Sequence, residues 1–262
     1  MRVLISGGSS GVGRALCEHL ANTGHEVISV DVAPFAPARG IESYTADVTS
    51  EGALSDIARD LTERDITLDA IVSLAGIHTM TSFVEGDSAE MRRVMDVNLM
   101  GAMLLVKCFY PRLAPRGRVV IVTSEVASLS PMPFNGLYSV SKAALDTYAD
   151  ALGKELALLG QRVITVRPGA IATPLAEGSL RSTERLAEAT VLYRGASSRF
   201  LTLTRRFMGK PIAPGRVAAL IARTLTAKRP RAVYSINRNL GLSLMGILPQ
   251  SLSRFILRKL LK

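Results

Sequence analysis

The chain has no tryptophan, and aromatic residues make up only 5% of its 262 positions. Single-stranded nucleic acid is gripped by aromatic stacking platforms. With few of these and no recognition motif, nucleic acid is not expected as a partner. Cysteine is equally scarce. Cys17 and Cys108 fall in helical patterns and fit neither a disulfide framework nor a metal spacing, so both read as small apolar core residues. His19, His25 and His78 have no ligand spacing either, and no metal is expected. His78 reads as a loop histidine, either solvated or touching substrate. No charged and apolar leader precedes the first strand pattern, so no cleaved signal is expected. No run approaches the ~20 apolar residues that span a bilayer. The expected location is the cytoplasm, with membrane contact at most peripheral.

One further absence is local. After Glu188 the chain contains no acid: residues 189–262 carry 15 Lys and Arg, while the first 188 residues hold 17 basic and 22 acidic groups. The body is thus mildly acidic and the last quarter strongly basic, an asymmetry that calls for its own explanation.

What is present is alternation. Strand patterns at Arg2–Ser6, Glu26–Asp31, Ile41–Ala46, Asp69–Leu74, Gly117–Thr123, Arg162–Arg167 and Ala232–Ile236 are separated by helical ones. The helical patterns are Gly11–Thr23, Ser50–Arg64, Ser88–Asp96, Asn98–Leu113, Gly136–Leu159 and Pro214–Ala227. This order predicts an α/β single-domain Rossmann fold: a doubly wound parallel sheet of about seven strands with helices on both faces. Residues 1–262 read as one domain. Within it, 174–209 reads as an insertion beyond a strand end, hence a substrate lid.

The first strand runs into Gly7-Gly-Ser-Ser-Gly11-Val-Gly13 and then a helix. Glycines there let backbone approach a pyrophosphate, and the helix N-terminus offers free N–H groups. The second strand ends at Asp31, where a carboxylate can accept the ribose hydroxyls of NAD and repel a 2′-phosphate. No base follows it in Val32-Ala-Pro-Phe35; Arg39 is the next. NAD rather than NADP is therefore the expected cofactor. Further along, Tyr138 and Lys142 stand four apart on one helical face. An ammonium so placed is expected to lower the phenol's pKa and make it an acid/base at neutral pH.

Taken in order, Ser6-Gly-Gly-Ser-Ser-Gly-Val-Gly13, Asp47-Val48, Leu74-Ala75-Gly76, Asn98 in Val-Asn-Leu-Met-Gly101, Ser124, Tyr138-Ser-Val-Ser-Lys142 and Arg167-Pro-Gly-Ala-Ile-Ala-Thr-Pro174 together resemble the short-chain dehydrogenase/reductase family. The resemblance implies hydride transfer between the nicotinamide C4 and a secondary alcohol or ketone carbon. Tyr138 would move the proton. Lys142 would tune Tyr138 and hold the nicotinamide ribose. Ser124 would hydrogen-bond the reacting oxygen, and Asn98 would anchor a water toward Lys142. It also implies cofactor contacts from Gly7, Ser9, Ser10, Gly11, Val12 and Gly13 in the turn, then Asp31, Asp47, Val48, Ala75 and Gly76. Tyr138, Lys142, Pro168, Gly169, Ile171 and Thr173 complete the set. Ser6 and Ser73 replace the family's threonine and asparagine. Ser124 stands 14 residues before the tyrosine, one more than usual, with Glu125 in the intervening place. We take Ser124 as the hydroxyl and expect Glu125 to point aside or meet a polar part of the substrate. Ser128 lies further along the loop.

Residues 238–262 read as a basic amphipathic extension. On a helical wheel Leu252, Phe255, Ile256, Leu257, Leu260 and Leu261 form one broad apolar arc, with Arg254, Arg258 and Lys262 opposite. Such a helix suits a membrane interface, the protein body or a partner subunit. It also resembles the tails of family members that act on steroids, retinoids and lipid alcohols. Phe83, Met132, Phe134, Leu137 and Leu175–Met208 are the expected apolar pocket. The leading expectation is an NAD-dependent oxidoreductase for a small hydrophobic alcohol or ketone, as a homodimer or homotetramer. A 3-oxoacyl thioester reductase and a non-catalytic nucleotide-sensing or lipid-binding protein are the alternatives.

Overall fold

In the computed structural model, which describes residues 1–207 and 210–262, the chain forms one seven-stranded parallel sheet in the order β3-β2-β1-β4-β5-β6-β7. The strands are β1 (Arg2–Ser6), β2 (Glu26–Asp31), β3 (Ile41–Thr45), β4 (Leu68–Ser73), β5 (Leu113–Val122), β6 (Arg162–Pro168) and β7 (Val233–Ile236). Helices cover both faces, so the inner strands are near-continuous apolar runs. Side chains alternate between the faces. Leu4, Ile28, Ile71 and Ile121 pack toward α2 (Glu51–Glu63), α4 (Gly101–Phe109) and α5 (Gly136–Ala157). Val3, Ile5, Val72 and Val120 pack toward α1 (Gly11–Asn22) and α8 (Pro214–Thr226). The chain winds outward from β1 to β3 and returns on the other side of β1 at β4. That reversal opens a crevice at the strand C-termini, where this architecture binds ligands.

Two expectations need correction here. The stretch expected as two helices is one, running through α3 (Ser88–Met95), a π-helical turn at Asp96–Met100 and α4. With its last turn it spans Ser88–Arg112, 25 residues of hydropathy 1.3, and by length and composition it is apolar enough to cross a membrane. Its apolar residues serve the core: Ala102, Leu105 and Phe109 are buried against the sheet and its neighbouring helices. β5 also begins four residues earlier than expected, with a register irregularity opposite Leu68 and Ala70 of β4.

The expected lid contains α6 (Pro174–Ala189) and α7 (Arg194–Phe207); its last two residues, Met208 and Gly209, lie outside the described residues. Pro174 opens α6 at the first helical position, where its missing N–H costs nothing, and the Thr173 hydroxyl caps the helix. The C-terminal extension is two helices, α9 (Leu240–Ile247) and α10 (Gln250–Leu261), separated around Pro249. Its single apolar arc is in fact split. Leu257, Leu260 and Leu261 line the cavity, while Leu252 and Phe255 turn away from it and are 43% and 57% exposed.

Candidate active site

β1 delivers the chain into a turn that only small residues can make. Gly7 sits at φ +71°, and a Cβ on it would lie 2.8 Å from the Ala75 nitrogen. A Cβ on Gly13 would lie 1.9 Å from the Gly7 carbonyl oxygen. These glycines hold the turn, the start of α1 and the Ala75–Gly76 loop together. Ser10 sits at the N-cap of α1 in extended conformation and makes no side-chain cap bond. The first-turn amides of that helix therefore face the crevice as a ready anion site. Asp31 closes the far side. Its carboxylate accepts from the backbone N–H groups of Ser9 at 2.9 Å and Ala33 at 3.0 Å. Asp47 is held by Arg93 at 2.8 Å and by the Thr49 amide at 2.9 Å. The glycine cradle, the helix N-terminus and the strand-end carboxylate fit a dinucleotide and are consistent with NAD(H) binding.

Across the crevice, Ser124 follows β5, and Tyr138 and Lys142 lie one turn apart on α5. Tyr138 is 9% exposed and Lys142 5%. The Ser124 side chain lies against the Tyr138 phenol and favours its ionised form. Directly after Ser124 comes a 3₁₀ turn at Glu125–Ser128, in which the Ser128 hydroxyl bonds back to the Glu125 carbonyl. Ser128 is thereby a turn residue.

The charge balance differs from the sequence expectation. Burial pushes the Tyr138 phenol up to about 12, with the Ser124 hydrogen bond opposing it. Burial likewise pushes Lys142 down to about 8. The lysine nitrogen stands 5.9 Å from the tyrosine ring centre and donates to the Val122 carbonyl at 3.2 Å. Desolvation is the largest cause at both groups.

Asn98 lies in the π-helical turn and is fully buried. Its oxygen accepts from the Ile77 amide at 2.8 Å, and its nitrogen donates to the Ile77 carbonyl and to the Ser141 oxygen, each at 2.9 Å. It ties the Gly76 loop to α5 one residue before Lys142. His78 is not a solvated loop residue. Its ring packs 4.2 Å from that of Tyr138, and its Nε2 meets the Asn135 oxygen at 2.9 Å. Burial, aided by the nearby Lys142 charge and opposed by the Asn135 bond, lowers its pKa to about 4. It is neutral at physiological pH.

One cavity of about 890 Å³ collects nearly all of these residues. Gly7, Ser10, Gly11, Val12, Gly13, Asp31, Asp47, Val48, Ala75 and Gly76 line its cradle end. Ser124, Tyr138, Lys142, Pro168, Gly169, Ile171 and Thr173 line the rest. Ser9 and Asn98 are outside the lining and act on residues that are in it. Of the expected apolar pocket, Met132 and Leu175 face the cavity. Phe83 does not, being 59% exposed; Phe134 packs edge-on to Tyr193 and Phe200; Leu137 is buried beside the lining. Phe200 and Leu203 of the expected Leu175–Met208 stretch line it from α7, and from outside the expected pocket the cavity takes Leu242 and Met245 from α9 and Leu257, Leu260 and Leu261 from α10. Arg93 and Glu125 are polar lining residues whose roles no motif signalled.

A family model described as short chain dehydrogenase matches residues 1–184. The 1-hydroxy-2-glutathionyl-2-methyl-3-butene dehydrogenase of Rhodococcus sp. is 30% identical over 178 residues, 66% of this chain and 79% of that protein. A short-chain dehydrogenase structure from Streptomyces avermitilis superposes with a TM-score of 0.74 at 25% identity, covering 98% of this chain and 94% of the other. A Mycobacterium paratuberculosis short chain dehydrogenase bound to NAD gives 0.74 at 23% identity, over 90% and 96% of the two chains, a likeness of fold. None of these points to the steroid, retinol or lipid-alcohol members in particular. The model matches well over half of the sequence, and the chain belongs to the short chain dehydrogenase family.

Proposed function

We propose that this protein is an NAD-dependent oxidoreductase that moves a hydride between the nicotinamide and the carbon of a hydrophobic secondary alcohol or ketone. The observation that carries this reading is the Ser124–Tyr138–Lys142 group opening into one cavity with the glycine cradle and with an apolar wall from α7, α9 and α10. The cofactor supplies or takes the hydride; the protein handles the proton and the geometry. Tyr138 gives its proton to the carbonyl oxygen in reduction, or takes it from the alcohol in oxidation. Ser124 hydrogen-bonds the same oxygen. Lys142 holds the ribose hydroxyls, and Asn98 fixes the backbone around it and a water path outward. Helices α6 and α7 act as the lid. Following NADH absorbance against steroids, retinoids, acyl thioesters and small sugars tests the reading. Turnover of acyl thioesters alone favours the 3-oxoacyl thioester reductase. Binding of NADH with no turnover at all favours a sensing or lipid-binding role.

Cofactor choice follows from Asp31. A 2′-phosphate would meet its carboxylate, which is fixed by two backbone amides. We expect kcat/KM with NAD(H) to exceed that with NADP(H) by at least ~10-fold, the value of about 1.4 kcal/mol of repulsion. Equal or reversed preference removes Asp31 from this role.

Peripheral membrane contact through α9 and α10 belongs to the same reading. Leu240 and Leu244 are 77% and 66% exposed, one turn apart on α9. On α10, Phe255 faces outward with the Lys259 nitrogen 5.4 Å from its ring centre. An outward apolar ridge among cations, in a segment with no acid, suits an anionic lipid surface. Vesicles containing phosphatidylserine should float the full chain and leave behind a chain ending at Pro249. Co-flotation of both removes α10 as the anchor, and flotation of neither removes the tail altogether. A homodimer or homotetramer is expected from the family resemblance.

A further inference from the structure

Glu125 carries a buried carboxylate that the reaction as described does not use. It is 7% exposed and lines the cavity directly after Ser124. Its Oε2 accepts from the backbone N–H of Asn239 at 2.6 Å. Its Oε1 lies against Gly169, where a Cβ would come within 2.9 Å. Asn239 is the N-cap of α9 and accepts from the Leu242 amide through its own side chain at 3.2 Å. The carboxylate therefore sits at the positive end of α9, where negative charge is favoured. Burial raises the Glu125 pKa, while the Asn239 amide and the Arg238 charge oppose the rise.

The same junction gathers the backbone around it. Gly169 N–H donates to the Ile236 carbonyl at 2.9 Å, and the Asn237 side chain donates to the Ala170 carbonyl at 2.8 Å. Asn237 adopts φ +57°, and its carbonyl oxygen occupies the space that a Cβ on Gly169 would need. Further along α9, Gly246 passes close to Leu129 and Ser130 beyond the Glu125 turn. Three segments thus meet at one buried acid: the loop bearing Ser124, the loop after β6, and the start of the C-terminal helices. α9 and α10 then turn Leu242, Met245, Leu257 and Leu261 into the cavity.

We infer that Glu125 is a positioning residue: it clamps the start of α9 to the Ser124 loop and so sets where the C-terminal wall stands relative to the reacting oxygen. The inference rests on the oxidoreductase reading for its effect on substrate, and on geometry alone for its effect on the wall. A buried carboxylate that lost the Asn239 amide would be left without its donor, so the clamp resists opening. A large apolar substrate needs the wall in place; a small one does not touch it.

The test compares E125A and E125Q with wild type, each as the full chain, by amide hydrogen exchange and by NADH-coupled reduction of butanone and of decalone. In E125A, exchange at residues 239–247 should quicken by at least about tenfold while α5 keeps its wild-type rates. E125Q keeps an acceptor oxygen at the same place and should fall between. KM for decalone should rise with kcat nearly constant, butanone should be little affected, and E125Q should recover part of the loss. Wild-type exchange at 239–247 in E125A overturns the clamp, as does equal quickening in α5. A loss of kcat for both ketones also overturns it, since that marks a direct chemical role. If neither ketone is reduced by wild type, the substrate reading fails, and the exchange rates by themselves decide for or against the clamp.

Discussion

Tyr138→Phe should lower turnover by ~10²–10⁴-fold, the usual worth of a positioned acid/base. The replacement keeps the ring, which packs against His78 at 4.2 Å, and removes only the hydroxyl. Ser124 then loses its phenol partner, a cost of about 1 kcal/mol, so melting temperature should move little. The glycine cradle and Lys142 are untouched, so NAD(H) affinity should stay close to wild type. The pH profile gives the sign of the effect. The phenol is held up near about 12 by burial. On the proposed mechanism the phenol must be deprotonated to accept a proton in alcohol oxidation, so the wild-type rate should climb as pH rises. The variant should lose this rising limb together with the rate. Stopped-flow and steady-state rates in both directions measure it, and a kcat within twofold of wild type would take Tyr138 out of the chemistry.

Gly13→Ala should have the next largest effect, on the cofactor. The added Cβ would sit 1.9 Å from the Gly7 carbonyl oxygen and 3.0 Å from the Gly8 Cα, both backbone atoms. No side-chain rotation relieves such a contact; the turn and α1 have to move apart. Overpacking of this kind costs about 1–3 kcal/mol, occasionally more, and shifting the amides away from the pyrophosphate lowers affinity in proportion. We expect NAD(H) to bind roughly 10- to 100-fold more weakly and the melting temperature to fall. Gly52→Ala is the control: its Cβ meets nothing within 4 Å on α2, and helix propensity favours alanine there. Titration by NADH fluorescence with parallel melts checks both variants. Wild-type affinity and melting temperature in Gly13→Ala would show that the turn does not need the glycine.

The sheet and the cofactor cradle were legible because each is written locally. Val3, Leu4 and Ile5 announce a strand covered on both faces, and Gly7, Gly11 and Gly13 announce a turn that no other residue type fits so well. Tyr138 and Lys142 were legible through their four-residue spacing. The state of their charges was not, because desolvation depends on what packs around them from β5, α5 and the Gly76 loop. The substrate end was the least legible. Phe134 read as pocket and is in the wall behind it, because Phe200 and Tyr193, distant in sequence, claim its ring. Glu125 looked like an intruder in the serine motif. Its partner is the amide of Asn239, 114 positions away, and no pattern in the chain links the two.

The family model ends at residue 184, yet the cavity draws Phe200, Leu203, Leu242, Met245, Leu257 and Leu261 from beyond that point. The pocket therefore has two authors. The matched two-thirds of the polypeptide carries the glycine cradle and the Ser124–Tyr138–Lys142 group, and the remainder supplies much of the apolar wall pressed against them. Substitutions confined to that wall would reshape what fits the cavity without touching the cradle.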